Sequence, residues 1–218
     1  MPSDGPLETR HLANPLSPSS PETIRNKKLL LGEGREEFFF FSALLEHLKI
    51  ADVQVESYGG KDNLRNFLAT LILRPGFSNL LTVAVTRDAD ASPRAAFESV
   101  CTTLTRASFD KPAAHGQFSV GQPRVGVFIL PDGHKAGALE DLCLDSVSTD
   151  VGMPCVDEFL RCVDQAGRKP ANVAKARVHA WLASQIKPDR RLGEAAKAGY
   201  WNWSAEAFSA VREFINLI

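Results

Sequence analysis

Nowhere do the 218 residues stay apolar for the roughly 18 positions that a membrane-crossing helix needs, and no basic-then-apolar leader opens the chain. Neither sign of charge prevails: 25 Lys and Arg face 26 Asp and Glu, for a formal charge of -1. No global field therefore advertises nucleic acid, a membrane surface or acidic partners, and any polyanion has to be met by a local patch. Cysteine is sparse. Cys101, Cys143, Cys155 and Cys162 form no C-x-x-C pair, and the 7-residue step from Cys155 to Cys162 is not a usual zinc spacing. They are expected to be reduced and mostly buried, in a cytoplasmic protein. Several motifs are missing as well. Gly32-Glu33-Gly34 lacks the third glycine of a dinucleotide fingerprint, and neither a GxxxxGK[ST] phosphate loop nor a GxSxG nucleophile elbow occurs. A phosphoacceptor domain would want an acidic pair after its first strand, where this chain has Glu33 alone between glycines.

What is present reads as one α/β domain. Residues 1–25 carry prolines at 2, 6, 15, 18 and 21 with almost no apolar periodicity, so they predict a flexible tail or an arm. From residue 26 to 218 the pattern is that of a single domain with a helical C-terminal extension. KKLLLGEG (27–34) is a short apolar run closed by glycines, and REEFFFFSALLEHL (35–48) follows it as a helix. ADVQVESYGG (51–60) alternates as a strand, and KDNLRNFLATLIL (61–73) has helical spacing up to Pro75-Gly76. NLLTVAVTRDAD (79–90) is a strand apolar on successive positions, and Ser92 then caps a helix with Pro93 at its first position.

Residues 108–123 show no period and predict a loop before RVGVFIL (124–130), a fourth buried strand closed by PDG. Helices are expected over 137–147, 154–166, 171–184 and 204–217, with residues 199–203 as an aromatic-rich connector. Strands alternating with crossover helices imply a three-layer α/β sandwich on a mainly parallel four-stranded sheet, with the extra helices at its C-terminal end.

In open parallel sheets, functional groups gather where the strands deliver their C-terminal ends. Glu33 ends the first strand, and Asp88 and Asp90 end the third. The i, i+2 spacing of the aspartates predicts that both face one side of an extended segment while Ala89 points away. Two carboxylates about 4 Å apart repel by roughly 4 kcal/mol at an effective dielectric near 20, and a hard cation relieves that repulsion. Mg2+ suits such a site because it takes oxygen ligands and is commonly bridged between carboxylates and a substrate phosphate. The competing reading is that Asp88 and Asp90 cap the next helix or pair with Arg87.

These residues resemble the Toprim domain of topoisomerases, bacterial primases and the nucleases of the overcoming-lysogenization-defect group. GEGREE (32–37) is similar to its glutamate motif and TRDAD (86–90) to its Asp-x-Asp motif. YGGKDNL (58–64) resembles the Gly-Gly-Lys turn of the nuclease-type members, ALEDL (138–142) their later glutamate motif, and Lys175 in NVAKARVHAWLA (172–183) their lysine motif. The resemblance spans about residues 27–185 and is greatest to small, stand-alone Toprim-like proteins. It implies Glu33 as general base or acid, Mg2+ or Mn2+ on Asp88 and Asp90 with Glu33, and Glu140 serving a second metal. Glu36 and Glu37 depart from the pattern, standing where members often carry an aspartate. The long nucleases also carry an ATPase domain that has no counterpart here, so a partner protein supplying ATPase or clamp function is expected.

Lys61 follows two glycines and opens a helix, where backbone N–H groups and its ammonium would together receive a phosphate oxygen; otherwise it is a solvated helix-start lysine. Glu140 has a blander reading too, as an acid at the positive end of its helix. Lys169, Lys175 and Arg177 with Arg161 and Arg168 form either a phosphate-facing patch or ordinary solvated faces. Tyr200, Trp201 and Trp203 suit stacking on bases or, more simply, tethering of the last helix to the core. Together these features predict Mg2+-dependent phosphodiester chemistry on nucleic acid, most simply hydrolysis, with Glu33, Lys61 and Lys175 as catalytic groups. The rival is a binding or regulatory module that keeps the metal site without turning anything over.

Overall fold

The computed structural model describes residues 23–218. Four strands, β1 (Lys28–Gly32), β2 (Val53–Ser57), β3 (Thr82–Asp88) and β4 (Arg124–Leu130), form one sheet in the order β2-β1-β3-β4. Every pairing is parallel. The continuous apolar runs of β1, β3 and β4 follow from burial on both faces. Leu29, Leu31, Val83, Val85, Val127 and Ile129 enter one core, and Leu30, Ala84, Phe128 and Leu130 enter the other. β2 lies at an edge, and there the sequence alternates instead.

Helices α2 (Leu64–Leu71) and α3 (Pro93–Arg106) cover the first face. The second is covered by α1 (Arg35–His47), α4 (Leu139–Ser146), α5 (Met153–Gln165), α6 (Val173–Ala183), α7 (Leu192–Lys197) and α8 (Ser209–Asn216). The chain steps from β1 to β2 through α1 on one face, then returns past β1 to β3 through α2 on the other. Right-handed crossovers demand that change of face when the strand order reverses. The result is the three-layer α/β sandwich that the strand and helix rhythm predicts.

Local signals account for most boundaries. The Ser92 side chain accepts the Ala95 N–H at 3.2 Å, with Pro93 in the first turn of α3. Gly76, at φ +93°, ends the segment after α2 where a Cβ would collide with the carbonyl oxygen of Ile24. Of the tail expected over residues 1–25, residues 1–22 lie outside the described residues. Ile24 does not behave as tail: it is buried, and its N–H donates to the Pro75 carbonyl at 2.9 Å.

Four expectations need correction. The helix expected from Lys61 starts as a 3-10 turn over Lys61–Asn63, and that expected over 204–217 starts as one over Glu206–Phe208 before α8. Helix α7 is additional, since six residues are too few to show a period. Cys101 and Cys143 are buried as expected, but Cys155 and Cys162 are exposed on the outward side of α5. The aromatic connector does tether the C-terminal helices: Trp201 stacks on Trp181 at 5.0 Å and donates from Nε1 to the Leu192 carbonyl, while Trp203 meets Phe40 edge-on. No helix among the described residues is long and apolar enough to cross a membrane.

Candidate functional site

The strand order reverses between β1 and β3, and ligands of open α/β sheets bind outside the carboxyl ends of the strands at such a point. Leu31 pairs with Val85, so one further step sets Gly32 beside Thr86 and carries Glu33 to the end of β3. Beneath this edge Tyr58 is buried and donates its hydroxyl to the Thr86 carbonyl at 3.0 Å, while the Thr86 hydroxyl donates to the Leu31 carbonyl at 3.1 Å. The turn after β2 folds back over the edge. Gly59 and Gly60 adopt φ of +81° and +103°, and the Gly60 N–H donates to the Glu33 carbonyl at 2.8 Å. That turn delivers Lys61 to the site, with its backbone amide acting on the Glu33 carboxylate.

Five carboxylates share one electrostatic neighbourhood here. Asp88 is pushed up to about 8, first by burial and then by the fields of Glu37, Glu33 and Glu140; the Leu139 N–H, donating to its Oδ1 at 3.0 Å, opposes the shift. Burial also raises Glu33, against the field of Arg87 and the amide of Asp88, and Asp90 adds to the rise. Glu37 is raised by burial as well, with Glu33 and Glu140 adding to it. Like charges brought together out of water disfavour ionisation, and Asp88, Glu33 and Glu37 show that effect.

Glu37 is the member that sequence reasoning missed. It lies one helical turn after Glu33, is buried at 8% exposure, and accepts the Gly34 N–H at 2.8 Å at the start of α1. The available signal was the i, i+4 spacing of two acids across the first turn of a helix, preceded by glycine. A Cβ on Gly32 would stand 2.7 Å from that of Glu37, so the close approach requires glycine.

Asp90 is placed differently from its expected position beside Asp88. Its φ of +50° breaks the extended run, and its amide and carbonyl both bond Gly137. Ala89 is buried, whereas Asp90 is exposed and pairs with Lys61, Nζ to Oδ2 at 3.4 Å. The alternative roles therefore divide: Asp88 does cap a helix, α4 rather than α3, and neither aspartate forms an ion pair with Arg87 among the described residues. Lys175 is exposed on α6, and among the described residues no ion pair ties it to the acidic group. Of the suggested basic patch, Arg161 pairs with Glu158 and Arg177 with Asp157.

Residues 27–218 match the family described as "Protein of unknown function (DUF3226)". The chain belongs to that family. Comparison of this DUF3226 protein with curated proteins finds no match. It is similar to the solved C-terminal region of the Burkholderia pseudomallei OLD protein, at 17% identity and a TM-score of 0.48, over 89% of this chain and 97% of that one. It is also similar to the C-terminal region of the Xanthomonas campestris pv. campestris OLD protein, at 15% identity and a TM-score of 0.40, over 88% and 97% of the two chains.

The donors at the sheet edge of the DUF3226 protein are carboxylate oxygens, the hard ligands that Mg2+ takes. Among the described residues, no group of three or more His, Cys, Asp or Glu side chains is placed to hold a metal ion. Mg2+ does not call for such a cage, because it usually keeps several waters and uses one or two carboxylates plus substrate phosphate. Asp88 and Glu33, two raised carboxylates in one field, fit that mode of binding.

Proposed function

We propose that this chain performs Mg2+-dependent hydrolysis of nucleic-acid phosphodiesters at the β1/β3 edge. One observation carries the reading: Asp88, half-buried at the end of β3, lies in the fields of Glu37, Glu33 and Glu140 with its carboxyl pushed up to about 8. A site that resists its own negative charge to this degree favours a divalent cation. Asp88 with Glu33 would hold Mg2+ or Mn2+, Asp90 and Glu140 being the further oxygen donors of the same edge. A cation held by those carboxylates would supply Lewis acidity toward a phosphoryl oxygen and toward water. Glu33, raised above the ordinary carboxylate range, takes up and returns a proton. The Lys61 ammonium, exposed beside Asp90, neutralises charge on the phosphate as it develops. Lys175, on a separate helix, serves as a second cation to the nucleic acid. The likeness of GEGREE and TRDAD to the Toprim motifs supports the same reading, and with it a cytoplasmic protein whose partner contributes ATPase or clamp function.

The test is incubation with plasmid, single-stranded DNA and RNA in Mg2+ and in Mn2+, comparing wild type with Asp88→Ala and Glu33→Gln. Cleavage by the wild type, lost in both variants, is the expected result. A thermal scan accompanies it. Cation binding to the native state alone at about 100 times its dissociation constant adds roughly 2.7 kcal/mol, which Asp88→Ala should remove. Nucleic acid bound equally by all three proteins and cut by none would identify a non-catalytic module instead.

A further inference from the structure

A second feature lies on the α1/α7 side of the same edge. A groove of about 540 Å³ is lined by Phe39, Lys187, Arg190, Glu194, Lys197 and Tyr200, with Ile186 at its mouth 96% exposed. Three cations against one carboxylate make it locally basic, in a chain whose formal charge is -1. None of these cations forms an ion pair among the described residues, whereas Arg161 and Arg177 elsewhere on the surface are paired. Arg190 Nε is buried with no hydrogen-bond partner, so a donor is left over at the groove wall.

The groove is also firmly built. Gly193 lets α7 approach α1, since a Cβ there would stand 2.6 Å from that of Phe39, and the Gly193 N–H donates to Glu36 Oε2 at 2.7 Å. The Tyr200 hydroxyl accepts the Lys187 N–H at 3.1 Å, which holds the ring in place. Phe39 and Tyr200 are each only half-buried, and the Arg35 guanidinium lies over one face of the Phe39 ring, 5.3 Å from its centre. Helix α1 begins at Arg35, two residues after Glu33, and Phe39 stands roughly 6 Å further along its axis at the helical rise.

We infer that this groove binds single-stranded nucleic acid, stacking bases on Phe39 and Tyr200 while Lys187, Arg190 and Lys197 receive phosphates, and leads the strand toward Glu33. Aromatic faces interleaved with cations recognise unstacked bases without regard to sequence, whereas the bases of a duplex are already stacked on one another. The inference rests on the proposed phosphodiester chemistry only for the direction of the strand; binding itself does not require cleavage.

The experiment is fluorescence anisotropy of a labelled oligothymidylate in EDTA, across a salt series, with the full chain. Lys187→Glu/Lys197→Glu, both exposed positions, should weaken binding at least tenfold and reduce the log–log salt slope by about 1.4, at roughly 0.7 per phosphate contact on a single strand. Phe39→Leu should weaken binding about fivefold or more with the slope unchanged, because stacking is not ionic. Arg94→Ala, at an exposed position of α3 on the other face of the sheet, should bind as the wild type does. Unchanged affinity and slope in the charge-reversal variant would overturn the inference, and so would equal or tighter binding of a duplex or of polyglutamate. If the strand binds through the groove but is never cut, the hydrolytic reading fails while the groove stands. If the wild type cuts and the charge-reversal variant cuts and binds equally well, the groove fails alone.

Discussion

Asp88 Oδ1 accepts the Leu139 N–H at 3.0 Å, so the last side chain of β3 also satisfies the first turn of α4. A structural bond and a strained charge thus reside on one carboxyl group. Asn at this position keeps an acceptor oxygen for Leu139 and removes the charge.

The pH dependence follows from the same group. The unfolded chain loses the Asp88 proton near 3.8, whereas the native state keeps it to about 8. Between those values the native state binds one proton more, and stability falls as pH rises. The contribution is complete below 3.8 and gone above about 8, and its size is on the order of a few kcal/mol. In EDTA, urea unfolding at pH 5, 7 and 9 should show Asp88→Asn gaining on the wild type at each step and exceeding it at pH 9. Parallel curves for the two proteins would show that Asp88 does not carry the penalty.

The strands were legible in the sequence because burial on both faces leaves a continuous apolar run, and β1, β3 and β4 each have one. Glu33 and Asp88 were legible because both end such runs. Glu37 was not, since helix-start acids are common and only its packing against Gly32 takes it out of water. Asp90 followed the alternation rule on paper and broke it in space, because one left-handed residue cancels the period that the rule assumes. The α1/α7 groove was invisible for a different reason. Phe39 and Tyr200 are 161 positions apart, and nothing local announces that a glycine on α7 lets them share a wall.

Gly32→Ala tests how closely the acids must approach. The new methyl would stand 2.7 Å from the Glu37 Cβ, which belongs to the start of α1 and cannot swing away like a side-chain tip. Overpacking of this kind costs about 1–3 kcal/mol. The variant should lose that much stability in urea, and it should lose cation-dependent stabilisation too, because Glu33 and Glu37 leave their shared field. Wild-type stability together with an unchanged Mg2+ response would show that the close packing at Gly32 is immaterial.

The four thiols should separate by reactivity. Cys155 and Cys162 are exposed on α5, while burial pushes Cys143 well above the ordinary thiol range and raises Cys101 as well. Thiolate is the reactive form, so buried thiols held protonated are inert. Brief alkylation of the native protein at pH 8 should add two labels, both on the α5 peptide, and four after denaturation. Labelling of Cys143 at the rate of Cys155 would contradict the packing of α4.

Glu56, on the edge strand β2, faces Arg74 in a two-pronged pair, with Nη1 to Oε2 at 2.6 Å and Nη2 to Oε1 at 2.8 Å. The two side chains are only 8% and 10% exposed, and Gln54 Nε2 adds a third donor to Oε1 at 2.6 Å. Desolvation has already been incurred by both charges, so removing one leaves the other buried and uncompensated, at a cost of about 3–5 kcal/mol. Arg74→Met should therefore lower the melting temperature by roughly 6–20 °C, at 2–4 °C per kcal/mol for a chain of this size. Arg74→Met/Glu56→Leu should recover most of the loss, because an apolar pair of similar volume carries no stranded charge. A double variant as unstable as Arg74→Met alone would mean that the guanidinium matters through its packing on Phe67, 6.0 Å from the ring centre, rather than through its charge.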